Sequence, residues 1–477
     1  MLIKAILVFG SVYVFGHWLA GLSVAVLLLI WHLLEAEEGP PVLALAMTTQ
    51  GLQVSGGIFY SGLTGRTLDA IEGSDYEPMV LIGLGCVTAL TLGLWFGARL
   101  IRQRMSPPAN APVELVGWRL LLMSYGAALV TISVTQELAW SYLPLTQAIL
   151  ALAFVHLAIV FLILRRLMRP EIQGGRIVML LAFEIALGFT GYFSNFKEPL
   201  VLAGMAMLEV FDRERRDHWI AAGTLTVTLA VASVMWMGVR SEFRQEFVDD
   251  VFAASRSARL QRMQALATDW IGGRDERMLE DMDLLINRAW AIYYPALALA
   301  RVPAVLPHTD GALTGGALYH LVTPRILFPN KPDLPSDSEM VRKYSGIWVA
   351  GTEENTSIAF GYAADAYVDF GIPIMFAPVL VFGLFCGAMY QWFLRVIQHR
   401  ELAISLVTVV FWLTLYLFER STVRTLGMGI TMMVYLGGLG FLIDRWLLMR
   451  ETRELEHDQI AGAPAHRPSE APRLTPP

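Results

Sequence analysis

The sequence predicts an all-α polytopic integral membrane protein with about 12 membrane segments, or 11 if its first apolar block is one helix, and one large extracytoplasmic loop. Three observations carry this reading. Of the 477 residues, 55% are hydrophobic and only 16% charged, and the mean hydropathy is +0.51, well outside the charge content of a soluble domain. Apolar runs of spanning length recur along the chain, and in hydrocarbon such runs are helical because only an intra-segment hydrogen-bond ladder satisfies the backbone. Between about Arg240 and Gly371 the runs stop, and the polar interval there is far too long for a turn between two helices.

Taken in order, the first block, Ile3 to Leu34, is longer than one span requires. It is either two short helices broken near Ala20 and Gly21 or one strongly tilted helix. It resembles a signal peptide in composition but runs on too long and lacks a clear small-residue cleavage site, so it is read as retained. A second run, Pro41 to Tyr60, follows the acidic link EAEEGPP. Further runs occupy 78–98, 118–136, 142–164, 177–191, 198–210, 218–239, 372–394, 401–418 and 425–443. The run at 198–210 is short enough to be re-entrant. The glycines of LGMGIT and VYLGGLGF lie within apolar helix and suit close packing.

Arginines collect in alternate links: Arg99, Arg102, Arg104 and Arg119, then Arg165, Arg166, Arg169 and Arg176, then Arg213, Arg215 and Arg216, then Arg395 and Arg400, then Arg445 and Arg450. By the positive-inside rule that side is cytoplasmic, which places the long polar interval outside. Four regions follow: N-terminal membrane helices (1–239), the extracytoplasmic loop, helical and then proline-rich (240–371), C-terminal membrane helices (372–443), and a cytoplasmic tail (444–477) whose Pro- and Ala-rich end has a disordered composition. Scattered basic residues and a net charge of -6 give nothing for nucleic acid. Cys86 and Cys386 each sit in an apolar run, and no HExxH or other spaced ligand set occurs, so no metal and no cofactor are expected.

The loop's first part repeats apolar residues at helical spacing up to Pro303. Then Pro324, Pro329, Pro332 and Pro335 exclude a continuous helix, leaving a stiff path that presents Arg325, Lys331, Glu339, Arg342 and Lys343. An Arg fork and a Lys point charge suit phosphate, and a group of them beside a membrane suits a lipid-linked diphosphate. Contact with anionic headgroups, or pairing with Asp333, Asp337 and Glu339, is the alternative. In GTEENTSIAFGYAADAYVDFG, a helix would put Gly361, Asp365 and Asp369 on one face, with carboxylates able to orient sugar hydroxyls. Glu353 and Glu354 are the candidate general bases, a role that requires a raised pKa. Arg420 and Arg424, four apart, could hold one anion together, and Lys197 and Glu198 precede the short run. Glu184, inside an apolar run, is either a hydrogen-bond anchor or part of a pathway. His320 is a structural or substrate-contact residue.

With PRILFPNKP in the outer loop and YVDFG before a membrane helix, the chain resembles the Wzy-type O-antigen or exopolysaccharide repeat-unit polymerases, within the group that includes the O-antigen ligases. The resemblance implies a multi-pass protein of a bacterial cell inner membrane that joins undecaprenyl-diphosphate-linked oligosaccharide repeat units at the periplasmic face. It implies the lipid bilayer as surroundings, a chain-length regulator and a flippase as accessory partners, and functional periplasmic arginines at Arg325 and Arg342, with Arg240, Arg244 and Arg424 behind them. Asp365, Asp369, Glu339 and His320 would then handle the acceptor glycan. A transporter, a ligase and a non-enzymatic secretion subunit stay open as alternatives, although nearly charge-free spans weigh against transport.

Overall fold

A computed structural model of the chain describes residues 2–461 apart from 36–38, 67–75, 107–116, 142–145, 170, 190–195, 248–255, 325–326, 329 and 355. The described elements are helices, with no strand among them. They run α1 (Leu2–Phe15), α2 (Trp18–Leu33), α3 (Val42–Thr64), α4 (Tyr76–Arg104), α5 (Trp118–Ser141), α6 (Thr146–Ala153), α7 (Val155–Met168), α8 (Gly174–Phe189), α9 (Lys197–Val210) and α10 (Arg216–Phe247). Then come α11 (Arg256–Gly272), α12 (Arg274–Ala289), α13 (Tyr293–Arg301), α14 (Ala312–Val322), α15 (Asp337–Ser345), α16 (Tyr362–Phe370), α17 (Phe376–Val396), α18 (Arg400–Leu415) and α19 (Thr422–Ala461).

This is the architecture of an α-helical membrane protein, but the expected 12 spans need correction. Among the described residues, six stretches are long and apolar enough to cross a membrane: α3, α4, the joined α6 and α7, α10, α17 and the first part of α19. The other apolar runs fold as shorter helices. α1, α2, α8, α9 and α18 have 14 to 16 residues, about 21 to 24 Å at the helical rise, short of a hydrocarbon core of about 30 Å. The first block does divide, at Gly16 and His17 instead of Ala20 and Gly21. Gly16 has φ +66°, and the His17 side chain accepts from Leu19 N to open α2. Gly21 lies inside α2, where a Cβ would meet Val12 of α1 at 2.5 Å.

The closest helix crossing is between α4 and α17. Gly93, Gly97, Gly383 and Gly387 line it, and a Cβ on any of them would stand 2.0–2.5 Å from a carbonyl oxygen of the partner helix. These are two small-xxx-small pairs facing each other, the arrangement that brings membrane helices together. Of the glycines singled out in the last helix, Gly437 packs against Phe393 and Gly429 against Thr414, while Gly427 and Gly438 face open space.

One end of the bundle is an ionic layer. Arg165 holds Glu209 through Nε and Nη2, both at 2.8 Å, Arg169 reaches Glu209 at 2.6 Å, and Arg166 reaches Glu401 at 2.5 Å. The ends of α7, α9 and α18 are thereby tied together. Deeper inside, Glu184 accepts from Tyr125 and lies 3.0 Å from His156 Nε2, so it serves as a hydrogen-bond anchor between helices. Helix α10 runs on through Arg240 to Phe247, which places Arg240 inside that helix.

At the opposite end sits the polar segment, α11 to α16, with a small core of its own: Ala298, Val302, Val341, Tyr344, Val349, Phe360, Ala364 and Val368. It joins the bundle where Trp290 enters α3. The Trp290 Nε1 donates to Val54 O at 2.7 Å, and a Cβ on Gly57 would clash with its ring at 2.4 Å.

Candidate functional site

The polar segment and the bundle meet at residues 416–421, the turn between α18 and α19. Gln53 holds this turn through Tyr416 O at 3.1 Å and Phe418 N at 2.7 Å, Arg288 grips Glu419, and Tyr362 donates to Gln50 at 2.7 Å. Helix α16 lies across it, bracketed by two glycines with positive φ, Gly361 at +92° and Gly371 at +61°. Only glycine suits both, because a Cβ on Gly361 would also stand 2.7 Å from Phe418 O.

Asp365 and Asp369 of α16 are four apart and both buried, at 5% and 0% exposure. Asp369 accepts from Leu313 N at 2.9 Å, Thr314 N at 2.7 Å, Thr314 Oγ1 at 2.6 Å and Thr309 Oγ1 at 2.5 Å. It closes the N-terminus of α14, satisfying amides that the helix leaves unpaired, and every lone pair is engaged. Asp365 accepts from Thr422 N at 2.6 Å, at the start of α19. It also lines a cavity of about 230 Å³ formed by Ala312, Leu313, Gly316, Leu334, Met340, Phe360, Asp337, Ser421 and Thr422, among others. Burial pushes the Asp365 carboxyl up to about 7, aided by the negative charges of Asp337 and Asp369 and opposed by the bonds from Thr422.

Arg424 closes the rim. Its Nε lies 2.7 Å from Asp337 Oδ2 and its Nη2 donates to Ser357 Oγ at 2.6 Å, while its side chain stays 56% exposed. Arg420 turns the other way, donating Nη1 to Leu413 O at 2.6 Å and approaching the Tyr416 ring. The two arginines are thus engaged by different partners, Arg420 by carbonyls at the end of α18 and Arg424 by Asp337 and Ser357.

The described cations of the proline-rich path, Lys331, Arg342 and Lys343, have separate partners. Lys331 donates to His320 O at 2.9 Å and Thr323 O at 2.7 Å, closing the C-terminus of α14. Arg342 donates Nε and Nη2 to Val349 O at 2.8 and 2.6 Å, pairs with Glu353, and stacks on Trp348. Lys343 is exposed beside Tyr344. Glu339 forms a capping box with Ser336 at the start of α15. The Arg342 hydrogen bond holds the Glu353 carboxyl below the usual carboxylate range, the reverse of what a general base requires. Arg325 and the side chain of Glu354 lie outside the described residues. Thr422 was the residue sequence reasoning passed over, and Asp337 was weighed only as a pairing partner of the loop cations. The signal was present in FERSTVR, where a Ser-Thr pair opens an apolar run and marks a helix start.

No curated protein and no solved structure matches the chain. A family described as Domain of unknown function (DUF8712) matches residues 103–394. That stretch takes in the whole polar segment and stops within α17, before Thr422 and Arg424.

Proposed function

Since the chain belongs to the DUF8712 family, a domain of unknown function, we propose from the chemistry of its own residues that it is a multi-pass enzyme of a bacterial inner membrane that polymerises undecaprenyl-diphosphate-linked oligosaccharides at the periplasmic face. The observation that carries this reading is the Asp365 cavity, a compact pocket at the junction of the outer segment and the bundle with two carboxylates, hydroxyls and apolar walls. Sugars ask for that mixture: acids and hydroxyls accept and donate to ring hydroxyls, while apolar side chains take the C–H faces.

In this reading the acceptor glycan enters the cavity, where Asp365 and Asp337 orient its hydroxyls. Arg424 on the rim faces the approach of a phosphate-bearing donor, in partial competition with Asp337. Asp369, Glu339 and Lys331 hold the cavity walls in place, because each caps a helix that lines or borders it. The arginine-rich end faces the cytoplasm, consistent with the positive-inside rule.

Purified protein in proteoliposomes, supplied with native lipid-linked repeat units, is expected to extend chains. Asp365→Ala is expected to slow extension roughly 10- to 100-fold through lost orientation of the acceptor. Wild-type protein that extends no chain on a verified native substrate overturns the reading, and transfer to a lipid A-core acceptor without chain growth marks a ligase instead.

A further inference from the structure

The side of α14 that no described part of the chain covers is apolar. Gly315, Leu318, Tyr319 and Val322 are all exposed, and their i, i+3, i+4, i+7 spacing sets them on one stripe. Leu318 is 47% exposed, Tyr319 56% and Val322 69%. From Gly311 to Pro324 the chain carries no Asp, Glu, Lys or Arg. A helix that stands in water turns its charges outward, and α12 of the same polar segment is dense in them. An apolar stripe left bare on a folded chain marks a surface that something else covers.

What lies beside the stripe follows from the opposite face of the helix, which is against protein. Ala317 is buried, Ala312, Leu313 and Gly316 line the Asp365 cavity, and α14 packs on α16 and α19. Those two neighbours fix its level. Thr422 and Val423, which line the same cavity, open α19, whose span-length apolar stretch starts at Thr422. Asp369, which caps α14, sits on α16, and α16 leads through the exposed Ile372 and Ile374 into the span-length α17 at Phe376. α14 therefore lies where two membrane helices begin, and the neighbour of a bare apolar stripe at that level is lipid. The ends of α14 suit such a neighbour. Leu313 N and Thr314 N donate to Asp369, Thr323 N donates to Tyr319 O, and Lys331 donates to His320 O and Thr323 O. Amides and carbonyls that a helix end leaves unpaired are taken up by the chain itself, as surroundings without water demand.

We propose that α14 is a membrane-dipping helix: the stripe of Gly315, Leu318, Tyr319 and Val322 is a lipid-binding surface that lies in the acyl region of the leaflet at this end of the bundle. With 11 residues, about 17 Å at the helical rise, the helix reaches about one leaflet into a core of about 30 Å and does not span it. Tyr319 is the residue type that favours the boundary between acyl chains and headgroups. The cavity between α14 and α19 then lies at headgroup depth, so that Asp365 meets a molecule carried in the membrane before one free in solution. This placement rests on the helical membrane class and not on the transferase reading.

Two measurements on the full chain in vesicles of phosphatidylethanolamine and phosphatidylglycerol test this. In the first, a nitroxide is attached at Leu318→Cys or at Val322→Cys, the native Cys86 and Cys386 being fully buried. Its collisions with oxygen, which concentrates in hydrocarbon, are compared with its collisions with a water-soluble nickel chelate. The logarithm of the oxygen-to-nickel ratio is expected to be positive at both positions and negative at the exposed Lys343→Cys on α15. A value at either position no higher than that at Lys343→Cys puts the stripe in water and overturns the proposal. Low collision rates with both reagents mean that protein covers the stripe and overturn it as well; broadening of the spectrum that disappears on dilution with unlabelled protein would identify that cover as a second copy of the chain. The second measurement needs no variant. A phosphatidylcholine with a photoactivatable acyl chain is expected to leave adducts on wild-type α14 between Leu318 and Val322, and adducts confined to other helices overturn the proposal. Neither readout uses chain extension, so a failed transferase assay leaves both outcomes unchanged.

Discussion

Asp365 and Asp369 have the same residue type, helix and face, yet their chemistry differs because different helices end against them. Asp369 receives four donors from the start of α14 and is a structural cap. Asp365 borders a cavity and is raised to about 7 by burial. The unfolded chain releases the Asp365 proton near the ordinary value of 3.8, whereas the folded protein keeps it to about 7. The folded state thus binds the extra proton between those values, and stability falls as the pH rises through that window. Burial sets this value, with the bonds from Thr422 on α19 opposing it and the charges of Asp337 on α15 and Asp369 on the same helix adding to it. Melting of the wild type is expected to occur at lower temperature as the buffer moves from about pH 5 to about pH 8, by an amount on the order of a few kcal/mol in stability. Asp365→Asn is expected to flatten that dependence, and equal slopes in the two proteins would remove Asp365 as its source. Spacing alone marked both aspartates, but a sequence does not disclose which neighbouring amides arrive to consume a lone pair.

At the level of elements, Lys331 and Arg342 of the proline-rich path are held apart because each meets nearby backbone oxygens or a carboxylate. Lys331 caps α14, and Arg342 is committed to Val349 O and Glu353. Proline spacing was legible as a break in the helix. That α15 resumes behind a Ser336–Glu339 capping box was legible too, since Ser-x-x-Glu is itself a start signal. The α4–α17 crossing was equally visible in GLWFG and GLFCG, two small-xxx-small pairs. Gly97→Leu would drive a side chain into Leu384 O and Ala388 N. It is expected to cost about 3 kcal/mol or more, read as a lower melting temperature and loss of monodisperse protein in detergent. Gly438→Ala, which enters open space, is expected to stay within about 0.5 kcal/mol. Equal tolerance at both positions would show that the crossing does not depend on backbone approach.

At the scale of the whole molecule, the ionic layer and the polar segment define two ends, and their sidedness is directly measurable. Cys86 and Cys386 are fully buried, so a membrane-impermeant maleimide has no native target on the folded protein. A cysteine at the exposed Lys343 position is expected to label in intact spheroplasts, and one at the exposed Arg450 position only after permeabilisation. The opposite pattern would invert the orientation. The sequence by itself determined the helical membrane class, the polar segment and the gathering of arginines in alternate links, because hydropathy and charge bias act along the chain and need no partner. Tertiary structure decided how many helices reach spanning length, where the first block breaks, and which charges are consumed by caps and which are left over. Those outcomes depend on which helix ends meet in space. Glu209 and Glu401 tie α9 and α18 to one level, so that Lys197 and Tyr416, 219 residues apart in the chain by their numbering, come together at their tips.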